Sequence, residues 1–414
     1  MDTLKLNKLD ELFREFDTKD TPGVVIGVTQ HGETAYAKAF GMANLEYDLP
    51  LTLDSVLQVG SLSKQFTAFT ALLLSEDGKL DLDVPVRQYL DYFPVFDHEI
   101  TVRHLVHHVS GLRSTIAYGL LNGVAYDDVY TQDFLKTMAK KQKALNFEPD
   151  TFNTYCNLSY CLMAEIVAKV NGKSFRESVD ELIFKPLGMM DSFFHDTKFE
   201  LIKNRAEAYT VTPEGMFNFP ILHASYGSTN MFSTIADMIK WTNELVNPIV
   251  FQPRMIEKAF IPHECKNGFK TGYGYGFVVH PYKGKTAVSH AGSDAAYRAH
   301  MYALPEDNTA LIVLSNRSDF DSAKFSRQIL DIVLNLPDNE SLYNKVPSNL
   351  DISGTYYLEK AVMTIPIIKT PKGTFMDLGE YKVTVFQKED NLYIIPDFNL
   401  EFAMDKNGNI IVLS

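Results

Sequence analysis

From about residue 272 the apolar residues stop recurring at helical spacing and begin to alternate as in strands. YGYGFVVHP, KTAVSHAG, YRAHMYALP and NTALIVLSN are short runs separated by turn residues. The chain also opens in strands: GVVIGVTQHGETAYAKAFG sets two apolar runs around His31-Gly32-Glu33, the pattern of a β-hairpin. Between these ends, residues 80 to 240 read mainly as helix, as in SYCLMAEIVAKVNG and TIADMIKWTNELV. A further helix is expected from Ser61 to Gly78, ended by Asp77-Gly78. Leu6, Leu9, Phe13 and Phe16 predict an amphipathic first helix, and SAKFSRQILDIVLNL predicts a closing one. Strands at both ends and helices between them admit few solutions. The most economical is an α+β fold: one antiparallel sheet built from both ends, flanked by helices, with a mainly helical subdomain from the middle.

The stretch 337–351 is polar and turn-rich and reads as a linker. It divides a domain at 1–336 from a small all-β module at 352–414, expected to hold five or six strands. Asn407-Gly408 marks a tight hairpin turn there.

The 414 residues suffice for a large core without staples, and the three cysteines (Cys156, Cys161, Cys265) suit neither a disulfide framework nor a zinc site. A formal charge of −13, from 39 basic and 52 acidic residues, repels phosphate backbones and argues against nucleic acid as a partner. No apolar run approaches the roughly 20 residues needed to span a bilayer, and the N-terminus lacks the apolar stretch of a signal peptide. The expectation is a cytoplasmic protein, or a secreted or periplasmic one whose signal peptide has been removed. Oligomeric state is left open, self-association included.

Chemistry is suggested by VGSLSKQFTAF. Ser61 and Lys64 stand three apart at a helix start, which puts them on one face about 5–6 Å apart. A serine hydroxyl is a poor nucleophile until a base takes its proton. A lysine serves as that base when burial lowers its pKa. Ser63, adjacent to Lys64, projects to another face. In TFNTYCNLSY, Tyr155 is suited to relaying a proton and the Asn157 amide to holding a substrate amide, though Asn157 also suits a helix cap. In VSHAGSD, His290 offers a donor or partial positive charge, and Gly292 would let a substrate backbone approach an edge strand.

Ser-x-x-Lys, Tyr-x-Asn and His-x-Gly, in this order at 61, 155 and 290, resemble the serine β-lactamase and penicillin-binding superfamily. The resemblance is closest to its branch of class C β-lactamases, D-alanyl-D-alanine peptidases, D-aminopeptidases and esterases. HLVHHVSGLRS, YGYGF and GSTNMFSTIADMIKW resemble segments of that branch, so the likeness covers about residues 5 to 335. It implies a β-lactamase/transpeptidase-like fold, and a lipocalin-like β domain in the tail. It implies that Ser61 attacks a carbonyl, that Lys64 and Tyr155 take its proton, and that the backbone N–H groups of Ser61 and Ser293 hold the oxyanion. Asn157, His290 and Gly292 would then contact substrate, and no metal or cofactor is needed. The literal Lys270-Thr271-Gly272 precedes the YGYGF segment, whereas the family's third motif follows it, so His290-x-Gly292 is preferred. His104, His107 and His108 lack the glutamate of H-E-x-x-H and are not read as metal ligands. Cys156 reads as a small buried filler.

A histidine at 290, mostly neutral at pH 7, selects less strongly for a substrate carboxylate than lysine does. Arg298 is a candidate for the missing charge, with a salt bridge on the strand as its other role. The expected activity is therefore hydrolysis of a small ester, amide or D-amino-acid peptide through an acyl-enzyme. A β-lactamase and a non-catalytic penicillin-binding sensor or scaffold are the alternatives.

Overall fold

The computed structural model describes residues 1–114, 130–197, 199–219, 224–337, 344–358, 363–371, 373–377, 382–395, 400–404 and 410–412. They divide into two compact units, residues 1–279 with 286–329, and residues 280–285 with 330–414. Among them no helix is long and apolar enough to cross a membrane.

The chain begins with helix α1, Thr3–Leu12, capped by the Asp2 carboxylate, which accepts from Lys5 N at 2.9 Å. Leu9 and Phe13 are fully buried and Phe16 nearly so, with the Phe13 ring 5.6 Å from that of Phe40. The expected hairpin follows as β1, Val24–Gln30, and β2, Glu33–Phe40. Helix α2 runs from Ser63 to Glu76, α3 from Asn157 to Asn171 and α4 from Ile235 to Val246. Strands β3 (Val278–Tyr282), β4 (Lys285–Asp294), β5 (Tyr297–Leu304) and β6 (Thr309–Ser315) come next, then α5, Ser322–Leu334.

The two ends of this part of the chain meet in one six-stranded sheet of order β3-β4-β5-β6-β1-β2. The closing ladder is antiparallel, from Val24 opposite Ser315 to Gln30 opposite Thr309. Both β1 and β6 are buried along nearly their whole length, as central strands covered on two faces must be. Helix α4 packs on β1, β5 and β6. Its N-cap Thr234 Oγ1 accepts from Asp237 N at 3.2 Å. Trp241 of α4 is fully buried, stacks 4.7 Å from Phe66 of α2, and donates Nε1–H to Gln65 Oε1 at 2.7 Å. Burying a side chain of this kind is worth about 1.5–3 kcal/mol, and here it ties the helix that follows Ser61 to the helix that backs the sheet. Helix α3 packs on α2 and ends at Gly172, whose φ of +68° stops it.

Three expectations are revised. The helix from Ser61 is a 3-10 turn over Gly60–Leu62 that becomes α-helical at Ser63. YGYGF is not a strand: Gly274 N donates to Phe277 O, closing a turn, and the strand begins at Val278. The tail has more and shorter strands than expected. A four-stranded sheet covers 354–358, 363–370, 373–377 and 382–384, and a five-stranded sheet covers 344–345, 386–389, 392–395, 400–404 and 410–412. KVTVFQ is split at Val385, which donates to Thr374 O in the first sheet while Phe386 pairs in the second. Ile352, Ile367, Met376, Val385, Tyr393, Ile395 and Phe402 form this unit's own core. The Asn407-Gly408 turn lies outside the described residues, as do parts of the stretches 113–150 and 195–230.

Candidate active site

The 3-10 turn sets Ser61 and Lys64 in register, because positions three apart eclipse in that geometry. Lys64 Nζ lies 3.0 Å from Ser61 Oγ and 2.7 Å from the Ser228 carbonyl oxygen, to which it donates. Lys64 is fully buried. Desolvation lowers its pKa to about 7, against weaker opposing effects of Cys161, Asp294 and Cys156. A lysine poised there is populated in both protonation states at neutral pH, so it can accept the proton of a neighbouring hydroxyl. Ser63 is turned away: its Oγ donates to Gly60 O at 2.6 Å and accepts from Met231 N at 3.2 Å.

Tyr155 comes from the loop before α3 and closes over the same pair. Its ring lies 4.6 Å from Lys64 Nζ, and like Ser61 it lines the pocket. The residue is 42 % exposed, yet the atoms packed about its hydroxyl desolvate it and raise its pKa, outweighing the opposing effect of the Ser61 hydroxyl. At neutral pH it is therefore a phenol able to pass on a proton.

Strand β4 forms the facing wall. A Cβ on Gly292 would lie 2.2 Å from Val59 O, and one on Gly60 (φ +56°) 2.7 Å from Ser293 N. Both positions are glycine because the strand and the Ser61 turn touch backbone to backbone. This close approach sets the Ser293 amide beside the Ser61 turn, where a two-amide oxyanion site would have to be. The backbone that Gly292 admits in this structure is that of Val59.

His290 lines the cleft, but both its nitrogens are engaged. Nδ1 is 2.6 Å from Ala291 O and Nε2 3.1 Å from the Tyr273 hydroxyl. A carbonyl only accepts, so Nδ1 carries the proton and Tyr273 donates to Nε2. Burial, with Lys64 nearby, lowers its pKa to about 3. The ring is neutral, and it offers neither the charge nor the free donor expected of it. Arg298, opposite Ser293 in the ladder, donates to Ala295 O at 3.2 Å and Tyr297 O at 2.8 Å and is not part of the pocket wall. Asn157 opens α3 and is not among the residues that line the pocket, with Oδ1 buried and without a hydrogen-bond partner.

The pocket in front of Ser61 has a volume of about 470 Å³. Ser61, Tyr155, His290 and Ser293 line it, together with residues the sequence did not single out: Asn153, Tyr273 and Val278. Thr271 and Gly272 also reach it, whereas Lys270 is exposed and does not. Tyr273 was the most findable of these, inside the YGYGF segment. Asn153 has no signal beyond its nearness to Tyr155; its Nδ2 donates to His107 O at 2.8 Å.

The three clustered histidines do separate jobs. His104 caps its helix with Thr101, His107 Nδ1 lies 3.1 Å from Tyr273 O, and His108 Nδ1 accepts from Cys156 N at 3.1 Å. Among the described residues, Asp150, His263 and Cys265 could hold a metal, with ligand atoms within 4.8 Å of one another. Their present arrangement is a hydrogen-bonded one, with His263 Nε2 2.6 Å from Asp150 Oδ1. Positions 150 and 263 are far apart in sequence, which is why the trio went unread.

A family model described as Beta-lactamase matches residues 9–334. The chain is 28 % identical over 334 residues to a penicillin-binding protein of Bacillus subtilis (strain 168), covering 76 % of this chain and 73 % of that protein. It is 27 % identical over 326 residues to a D-aminopeptidase of Brucella anthropi, covering 77 % of this chain and 60 % of the relative, less than two thirds of its length. Among solved structures, the octameric penicillin-binding protein homologue from Pyrococcus abyssi superposes with a TM-score of 0.72 at 25 % identity, covering 100 % of this chain and 95 % of that one. D-amino acid amidase from Ochrobactrum anthropi SV3, in complex with L-phenylalanine, has a TM-score of 0.66 at 22 % identity over 80 % of this chain and 98 % of its own, a likeness of fold.

Proposed function

Because this chain belongs to the beta-lactamase family, we propose that it is a serine hydrolase that opens small esters, amides or D-amino-acid peptides through an acyl-enzyme on Ser61. The observation that carries this reading is the fully buried Lys64, with Nζ 3.0 Å from Ser61 Oγ and a pKa of about 7. In the proposed cycle Ser61 Oγ bonds to the substrate carbonyl carbon as its proton passes to Lys64. The oxyanion rests on the Ser61 and Ser293 amides, a type of contact whose single donors are each worth about 10²–10³ in rate. The tetrahedral intermediate collapses as Lys64, through Tyr155, returns the proton to the departing nitrogen or oxygen. Water then attacks the ester, passes its proton back along the same path, and releases a carboxylic acid and free Ser61.

The substrate class follows from the walls. His290 is held neutral and Arg298 is not among the residues that line the pocket, so neither sets a cation at the pocket wall for a substrate carboxylate. This favours neutral esters and amides over β-lactams, and relatives named D-aminopeptidase support the D-peptide option. We read residues 1–336 as the catalytic domain and 352–414 as a β module, joined by a linker at 337–351 whose residues 344–345 pair into the module's five-stranded sheet. The octameric Pyrococcus abyssi homologue supports self-association.

Intact-mass analysis after treatment with a fluorophosphonate and with a penicillin tests the nucleophile. One adduct per chain is expected on the wild type and none on Ser61→Ala. A wild type that takes up no probe, or equal labelling of both proteins, rules the reading out.

A further inference from the structure

His108 is a buried residue that the chemistry above does not use. It follows the short helix Val102–Val106, is 1 % exposed, and has φ of +58°, in the left-handed region. The backbone around it grips the loop that leads to Tyr155. Asp150 N donates to Val109 O at 2.9 Å, and Thr154 N donates to His108 O at 3.0 Å. The side chain extends that grip, since the Cys156 N–H, between Tyr155 and Asn157, donates to Nδ1 at 3.1 Å.

A backbone N–H can only donate, so Nδ1 is bare and the neutral ring carries its proton on Nε2. Burial, reinforced by Lys64, His290 and His107, keeps the ring neutral. Nε2 is buried and has no hydrogen-bond partner. Meanwhile the ring packs against three tyrosines, with centroids 4.4 Å from Tyr155, 4.9 Å from Tyr160 and 4.8 Å from Tyr273.

An unpaired buried N–H costs stability, and phenylalanine would fill the same space without it. Packing alone therefore does not call for histidine at this position. What histidine supplies, and phenylalanine lacks, is the acceptor for the Cys156 N–H.

We propose that His108 is a positioning residue for the reaction: by accepting the Cys156 N–H and packing against the Tyr155 ring, it fixes the Tyr155-x-Asn157 segment against Ser61 and Lys64. It acts through Tyr155 and touches no reacting atom. The inference rests on the reading of Ser61 as nucleophile and deepens it.

The full chain is compared with His108→Phe and His108→Asn. Asparagine offers an oxygen for the Cys156 N–H and tolerates a left-handed φ; phenylalanine fills the space and leaves that N–H unpaired. Two readouts are taken: the rate constant for labelling of Ser61 by a fluorophosphonate, and amide hydrogen exchange over residues 150–157. His108→Phe is expected to label about 10- to 100-fold more slowly, the loss of one buried hydrogen bond that holds the Tyr155 segment, and to exchange faster over 153–157. His108→Asn is expected to restore most of the labelling rate and the protection. Labelling of His108→Phe within twofold of the wild type, or a loss that His108→Asn leaves unrestored, overturns the proposal. An unlabelled wild type would instead remove the nucleophile reading. The exchange data then decide for His108 alone, and unchanged protection in His108→Phe overturns it.

Discussion

Two lysine motifs stand in the sequence, Ser61-x-x-Lys64, read as catalytic, and Lys270-Thr271-Gly272, set aside in favour of His290-x-Gly292, and the fold treats them in opposite ways. Lys64 is sealed under Tyr155 and Tyr160 with its Nζ against Ser61 and the Ser228 carbonyl. Lys270 sits on an exposed turn, joined to Glu264 by a lone β-bridge. The first is drained of water and its pKa falls to about 7; the second stands in solvent. Burial, and not the identity of the residue, makes a lysine into a base near neutral pH. The neighbours of Lys270 do reach the cleft, since Thr271 and Gly272 line it, so the contrast falls within one short turn.

Substitution at the two lysines tests that contrast most strongly. Lys64→Met is expected to lower kcat/KM on a nitrophenyl ester by about 10³–10⁴-fold, the upper range for loss of a general base. Its pH behaviour sharpens the point. In the wild type, kcat/KM should rise with pH through a midpoint near 7, because Lys64 must lose its proton to act. His290, with a pKa near 3, does not titrate there. Stability has a defined sign too. Lys64 binds its proton less tightly folded than unfolded, so the unfolded chain holds more protons between pH 7 and 10.5 and stability rises across that window. Each pKa unit is worth about 1.4 kcal/mol. Lys64→Met should therefore melt higher than wild type at pH 6, with the gap closing toward pH 10. A gap independent of pH would mean that Lys64 is not desolvated.

Tyr155→Phe is expected to have a smaller effect, about 10²-fold in kcat with little change in KM, because Lys64 remains to take the serine proton. Lys270→Ala should leave kcat/KM within about twofold, as for an exposed side chain away from the reacting atoms. A large loss there would return Lys270-Thr271-Gly272 to the mechanism.

Much of the fold was legible in the sequence. The change of hydrophobic period near 272 and the early hairpin already implied a sheet shared by both ends, and β1 does pair with β6. What was misjudged involves backbone turns whose geometry depends on distant partners. The turn at Ser61 is 3-10 because Ser63 Oγ bonds back to Gly60 O while holding Met231 N. YGYGF reads as a strand by alternation, but its hydrogen bonds close a loop.

The sequence by itself determined the ordered set Ser61, Lys64, Tyr155, Asn157, His290 and Gly292, the two-part organisation of its hydrophobic pattern, and the family resemblance. Residue type and spacing are local properties, and local properties can be read from a string. Only the tertiary structure decided what those residues can do. It neutralised His290 by burial beside Lys64, tied Arg298 to carbonyls, set Gly292 against Val59, and joined the Tyr155 segment to His108. Each of these depends on desolvation or on a partner distant in sequence, and it is burial and pairing that set a side chain's charge, tautomer and reach.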